Sequence, residues 1–151
     1  IRAKGIGPML LIEKVITLKA VEMFARTPED VLADVAALAE EVRFKAGETI
    51  FNKGEAGESL YVIVTGEVKV HDGDLDLKHL KDKSVFGELA VLDPEPRSAS
   101  ITAITDSHLL RLDREAFLEL MAGNMEVVRG VLAVLCDRIR EKLVEATPVR
   151  R

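Results

Sequence analysis

The chain has 151 residues, of which 48% are hydrophobic and 31% charged, with a formal net charge of −5 and one cysteine. That length suits one domain with a real core, and the composition is that of a globular chain rather than a disordered one. The acidic balance argues against nucleic acid as a partner of this segment, because a phosphate backbone demands a basic face. Any anionic ligand must therefore be captured by a local positive site.

No apolar run approaches the ~20 residues of a membrane span, so no membrane contact is expected from this segment. The opening residues Ile1-Arg2-Ala3-Lys4-Gly5 carry neither the apolar core nor the cleavage site of a secretory signal. A chain that starts at Ile1 rather than Met is read as a piece of something longer. The lone Cys136 precludes an internal disulfide and a cysteine-rich zinc site, and it suits a reducing, cytoplasmic compartment.

Gly5-Ile6-Gly7-Pro8 reads as a linker. Apolar residues then recur at helical spacing from Met9 to Phe24, through Leu11, Val15, Leu18 and Val21. Thr27 as cap, Pro28 in the first position and Asp30 predict a second helix that runs to about Ala39 on Val31, Leu32, Val35 and Leu38. The rhythm changes to alternation at Val42. Short runs follow at Thr49–Phe51, Leu60–Val64, Val68–Val70, Leu75–Leu80, Ser98–Ile104 and His108–Leu112, with a hairpin turn at Asp72-Gly73-Asp74. Short strands with turns roughly every 8–12 residues predict a sandwich or barrel of jelly-roll kind.

Helical periodicity returns at the end. Asp113 is a cap for Arg114–Met121, Gly123 is placed to end that helix in left-handed geometry, and Asn124 caps a last helix to about Val144. Val128, Leu132, Leu135, Ile139 and Leu143 form its apolar stripe, widened by Val127, Val131 and Val134, which predicts cover on more than one side. The stripe fits core packing and a dimer seam equally.

The segment Phe86 to Ile101 carries the chemistry. Phe86-Gly87 ends a strand with a residue that lets backbone approach closely, and Glu88 to Val91 can form one helical turn with free amides toward an anion. Pro94 and Pro96 stop that helix. Arg97 then leads into the small residues Ser98-Ala99-Ser100, which leave room beside its guanidinium. A carboxylate acceptor, free amides and a fork-shaped donor suit a sugar phosphate. Taken alone, Glu88 and Arg97 also fit a structural ion pair.

This segment resembles the phosphate-binding cassette of cyclic-nucleotide-binding domains, the family of the protein kinase A regulatory subunit and the bacterial cAMP receptor protein. The resemblance extends through Ala46-Gly47-Glu48-Thr49-Ile50, the run from Gly54 to Ile63, and Thr65-Gly66-Glu67-Val68, and covers roughly residues 20–143. It implies a mainly β fold with flanking helices: an eight-stranded jelly-roll barrel with N-terminal helices and a C-terminal helix pair. The organisation expected is a linker at 1–8, N-terminal helices over 9–40, the barrel over 41–113 with its cassette at 86–101, C-terminal helices over 114–144 and a tail at 145–151.

By the same resemblance Arg97 holds the cyclic phosphate and Glu88 the ribose 2′-hydroxyl, Gly87, Leu89, Ala90, Ser98 and Ala99 surround the phosphate, and Val68 and Leu77 line sugar and base. The last helix would close over the base with part of the stripe from Val128 to Leu135. The ligand implied is cAMP or cGMP, with cAMP favoured, although Ser98 suits either. No cofactor is expected.

The turn Lys81-Asp82-Lys83-Ser84 departs from the family by lacking glycine, which puts a costly left-handed conformation on another residue.

Asp72, Asp74 and Asp76 do not complete a calcium loop, and His71, His79 and His108 are scattered without a metal-binding spacing. Cys136 is expected to be a buried, inert thiol, and no nucleophile–base pair can be assembled. The reading is a regulatory module rather than an enzyme, signalling through its last helix to a fused or partner effector, with a possible homodimer through that helix. The alternative is a ligand-free barrel that serves as an interaction or dimerisation module. The residues after Leu143 are too few for a helix-turn-helix.

Overall fold

Alternation through the middle of the chain produces eight short strands: β1 (Glu40–Phe44), β2 (Thr49–Phe51), β3 (Ser59–Thr65), β4 (Val68–Asp72), β5 (Leu75–Leu80), β6 (Val85–Phe86), β7 (Ser100–Ala103) and β8 (Ser107–Asp113). The computed structural model describes residues 7–146, so most of the expected linker at 1–8 and tail at 145–151 lies outside the described residues. The strands form two four-stranded sheets, in the orders β1-β8-β3-β6 and β2-β7-β4-β5, and every ladder is antiparallel. This is the double-sheet form of a jelly roll.

β3 shows how the layers stack. Its side chains alternate between two faces, yet Leu60, Tyr61, Val62 and Ile63 are all buried. Tyr61 and Ile63 join Val68, Phe86, Ile101 and Leu109 between the sheets. Leu60 and Val62 join Leu110, Leu112 and the helices on the other side. A strand covered on both faces reads as a continuous apolar run, which is what Leu60–Val64 is.

The helices are α1 (Leu11–Lys19), α2 (Glu29–Leu38), the short α3 (Glu88–Leu92), α4 (Arg114–Gly123) and α5 (Met125–Ala146). Periodicity predicts one helix from Met9 to Phe24. The structure instead ends α1 at Lys19 and adds a 3-10 turn, Glu22–Phe24, which lets Val21, Met23 and Phe24 all reach the core. Thr27 does not cap α2. It is drawn into the core with its hydroxyl unpartnered, and Pro28 takes the cap position. Asp113 precedes α4 as expected, but its carboxylate accepts the Ser59 hydroxyl at 2.9 Å rather than a helix amide. Gly123 is the last residue of α4 and does not take left-handed geometry. Extended Asn124 (φ −141°) turns the corner straight into α5.

Two turns behave as their chemistry dictates. Asp72 pairs with Leu75, leaving Gly73-Asp74 as a two-residue hairpin loop with Gly73 at φ 59°. In the glycine-free turn before β6, Lys83 takes the left-handed strain at φ 70°, held there by its amide on the Ile63 carbonyl at 2.9 Å. A left-handed non-glycine residue costs about 1–2 kcal/mol, part of which glycine returns as chain entropy. Lys83→Gly is therefore expected to raise stability by about 0.5–1 kcal/mol, or ~2–4 °C in a thermal melt. A lowered melting temperature would show that the lysine side chain compensates the strain.

Candidate functional site

Gly87 stands at the entrance to the site with φ 82°. A Cβ there would lie 2.8 Å from the Ser59 carbonyl oxygen and 2.9 Å from Arg97 Nη1. Conformation and space both demand glycine. α3 follows at once and sets Glu88, 1% exposed, at its start, with Leu89 next and Ala90 and Val91 buried. Pro94 and Pro96 lie beyond the helix, and the chain returns as Arg97. The Arg97 amide donates to the Glu55 carbonyl at 2.9 Å and its own carbonyl accepts from Gly54 at 2.8 Å, which ties the cassette to the β2–β3 loop.

The Arg97 side chain is 7% exposed. Its Nη2 donates to the Ser59 carbonyl at 3.0 Å, Nη1 lies 3.5 Å from the Gly87 carbonyl, and Nε is buried without a partner. The guanidinium lies 4.0 Å from the centroid of the Phe51 ring, which belongs to an aromatic cluster with Tyr61 and Phe86. Gly57 closes over it so tightly that a Cβ would overlap the guanidinium. Burial pulls the Arg97 pKa below the ordinary arginine value, opposed by Tyr61 and Glu55.

Glu88 and Arg97 do not form an ion pair with each other. Glu88 Oε1 pairs instead with the Arg138 guanidinium of α5, and Glu88 Oε2 is buried without a hydrogen bond. Among the described residues Arg97 has no carboxylate partner. α3 is also tied to α4, through Arg114 Nε on the Val91 carbonyl at 3.1 Å.

The remaining expected residues are distributed unevenly. Ser98 is exposed and Ala99 half-buried, both ahead of β7 rather than within it. Val68 is fully buried between the sheets. Leu77 is 54% exposed on β5, at the irregularity in the β4–β5 ladder and outside both core clusters. Sequence reasoning missed Phe51, Gly57 and Arg138. An aromatic just before the loop that follows β2 and a glycine within that loop were visible signals, whereas nothing local marks Arg138.

α5 docks through Val127, Gly130 and Val131, and Gly130 is packed so closely on the Met23 carbonyl that a Cβ would overlap it. Glu22, beside Met23, has its pKa raised, first by a hydrogen bond with Asp137 and then by burial and the charges of Asp137 and Glu141. The stripe is not covered throughout, contrary to its sequence reading. Leu132, Ile139 and Leu143 are more than half exposed. Cys136 is exposed with them rather than buried, because it points away from the helical layer. Among the described residues no group of His, Cys, Asp or Glu is placed to hold a metal ion, and no helix is long and apolar enough to cross a membrane.

A family model for the cyclic nucleotide-binding domain matches residues 41–124, more than half of the chain, and the chain belongs to that family. It is 37% identical over 114 residues to a CRP-like cAMP-activated global transcriptional regulator of Mycobacterium tuberculosis, covering 70% of this chain and 51% of that protein. It is 33% identical over 99 residues to the cAMP-dependent protein kinase regulatory subunit of Aspergillus fumigatus, covering 64% of this chain and 24% of that protein. The chain thus spans about half or less of the length of these relatives. Among solved structures, Thermus thermophilus Catabolite Activator Protein superposes with a TM-score of 0.75 at 29% identity, over 82% of this chain and 61% of that one.

Proposed function

We propose that this chain is a sensor module that binds a cyclic nucleotide, cAMP in preference to cGMP, and passes the signal through α5 to a fused or partner effector. Arg97 takes the cyclic phosphate. The amides around Gly87, Leu89 and Ala90, with Ser98 and Ala99, complete the phosphate site. Glu88 accepts a ribose hydroxyl, while Val68 and Leu77 line sugar and base. The module has no catalytic role in this reading. It belongs to the cytoplasm, where an exposed thiol stays reduced.

The observation that carries the reading is the state of Arg97. A guanidinium 7% exposed, with Nε unpartnered, sits in a chain of net charge −5 that offers many carboxylates. Burying such a charge with no carboxylate in ion-pair contact among the described residues costs stability unless a ligand's anion completes it. Similarity to relatives named for cAMP supports cAMP, while similarity at 36% identity to a cGMP-dependent protein kinase of Toxoplasma gondii keeps cGMP as the second candidate. α3 contacts both C-terminal helices, which provides a route by which an occupied site biases their pose.

Titrating the purified chain with cAMP and with cGMP while following its melting temperature tests this. At a hundredfold excess over Kd, a bound ligand stabilises by about 2.7 kcal/mol, a rise of ~5–10 °C, and cAMP is expected to act at the lower concentration. No response to either nucleotide would sink the reading. If light scattering then also found two copies per particle, the alternative of a dimerisation module would replace it, with exposed Leu132, Ile139 and Leu143 as the seam.

A further inference from the structure

A buried cation is ordinarily held by a carboxylate, and Arg97 is not. Its guanidinium donates to the Ser59 and Gly87 carbonyls and has no carboxylate in ion-pair contact among the described residues. What lies against it is Phe51, with Cζ 4.0 Å from the ring centroid. At that distance the negative face of the ring attracts the cation, and more strongly for being away from water.

The ring is itself fixed. β2 ends at Phe51, and its register on β7 is irregular between Thr49 and Phe51. Regular pleating would send Ile50 and Phe51 to opposite faces, yet both pack on the apolar cluster between the sheets. Phe51 lies 6.2 Å from Tyr61 at 40° and 5.9 Å from Phe86 at 53°, and those two rings stack on each other at 5.1 Å. Phe86 directly precedes Gly87, whose carbonyl faces Arg97 Nη1. The aromatic face and the hydrogen-bond acceptors of the guanidinium thus belong to one packed group.

We propose that Phe51 is a positioning residue for the phosphate: its ring face takes the place of a carboxylate beside Arg97, holding the guanidinium in the site without supplying an anion that the ligand would have to displace. The proposal rests on the nucleotide-binding reading above and extends it to a residue outside the cassette. A carboxylate would hold the cation more firmly, but it would compete with the phosphate for the same donors. A π face attracts the charge from one side and leaves the N–H groups, which lie in the guanidinium plane, to acceptors at its edge. The cation is then ordered before the ligand arrives, which lowers the cost of binding.

Calorimetry with cAMP tests this on the wild-type chain, on Phe51→Leu, and on chains carrying mono-, di- and trifluorinated phenylalanine at position 51. Fluorine keeps the shape of the ring and draws electron density from its face, so it weakens the attraction for a cation step by step. Phe51→Leu is expected to bind cAMP about 3- to 30-fold more weakly, the worth of a desolvated cation–π contact. Across the fluorinated series affinity should fall stepwise toward that of Phe51→Leu. A ring that merely fills space would give no such trend.

The proposal is overturned if a folded Phe51→Leu binds cAMP as tightly as the wild type. It is also overturned if affinity is flat across the fluorinated series, whatever Phe51→Leu does. A wild type that binds no cAMP overturns the nucleotide-binding reading itself, and this inference with it. Circular dichroism monitors folding. Should Phe51→Leu not fold, the fluorinated series decides alone, because it keeps the size of the ring.

Discussion

Arg97→Ala is expected to weaken cyclic-nucleotide binding by about 30- to several-thousand-fold, the equivalent of ~2–5 kcal/mol for one half of a desolvated charged contact. The fold should survive the change. The Arg97 side chain donates to the carbonyls of Ser59 and Gly87 and has no carboxylate partner among the described residues, so its removal strands no buried charge. Removing an unpaired buried cation offsets part of the packing lost against Phe51. Calorimetry for affinity and a thermal melt for stability separate the two effects. An unchanged cAMP affinity in a folded variant would remove Arg97 from the site.

The second large effect concerns the helical layer packed on the sheets. Phe117 of α4 is fully buried and meets Phe24 edge-on, with ring centroids 6.3 Å apart and planes at 80°. It joins Leu18, Leu32, Val35, Leu60, Leu112 and Val127 in a core built from helices and sheet together, so the space it leaves cannot close by moving one element. Phe117→Ala should cost about 3–5 kcal/mol, a large share of a typical total of ~5–15 kcal/mol. Urea unfolding is the measurement. A loss below about 1 kcal/mol would mean that the helical layer is not part of one cooperative unit with the sheets, and that α4 and α5 unfold separately. A saturating ligand should recover part of the lost stability, because it binds only the folded form.

How much of this could be read from the sequence depended on how far apart the cooperating residues lie. The cassette was legible because its parts are contiguous. Gly87 must accept a conformation and a close approach that only glycine tolerates, the prolines end α3, and Arg97 follows within a few residues. The strands were legible wherever a run such as Leu60–Val64 is bounded by turn residues. The strain before β6 was legible as well, since a turn without glycine must put the left-handed conformation on something, and Lys83 takes it. Local rules misled where tertiary packing competed with them. Thr27 went into the core instead of capping α2, and Asp113 bonded across the sheet to Ser59 instead of to its own helix.

The sequence by itself determined the β-rich class, the order of the elements, and the acid and base that mark the cassette. Only the tertiary structure decided what those two groups touch: Arg97 lies on Phe51 beneath Gly57, and Glu88 is held by Arg138 rather than by Arg97. It also decided which side of α5 is covered, burying Val127 and Val131 and leaving Leu132, Ile139 and Cys136 outside. The reason is physical. Backbone preference and side-chain period act within a few residues and are written in any short window, whereas a partner for a buried charge is selected by the packing of distant elements.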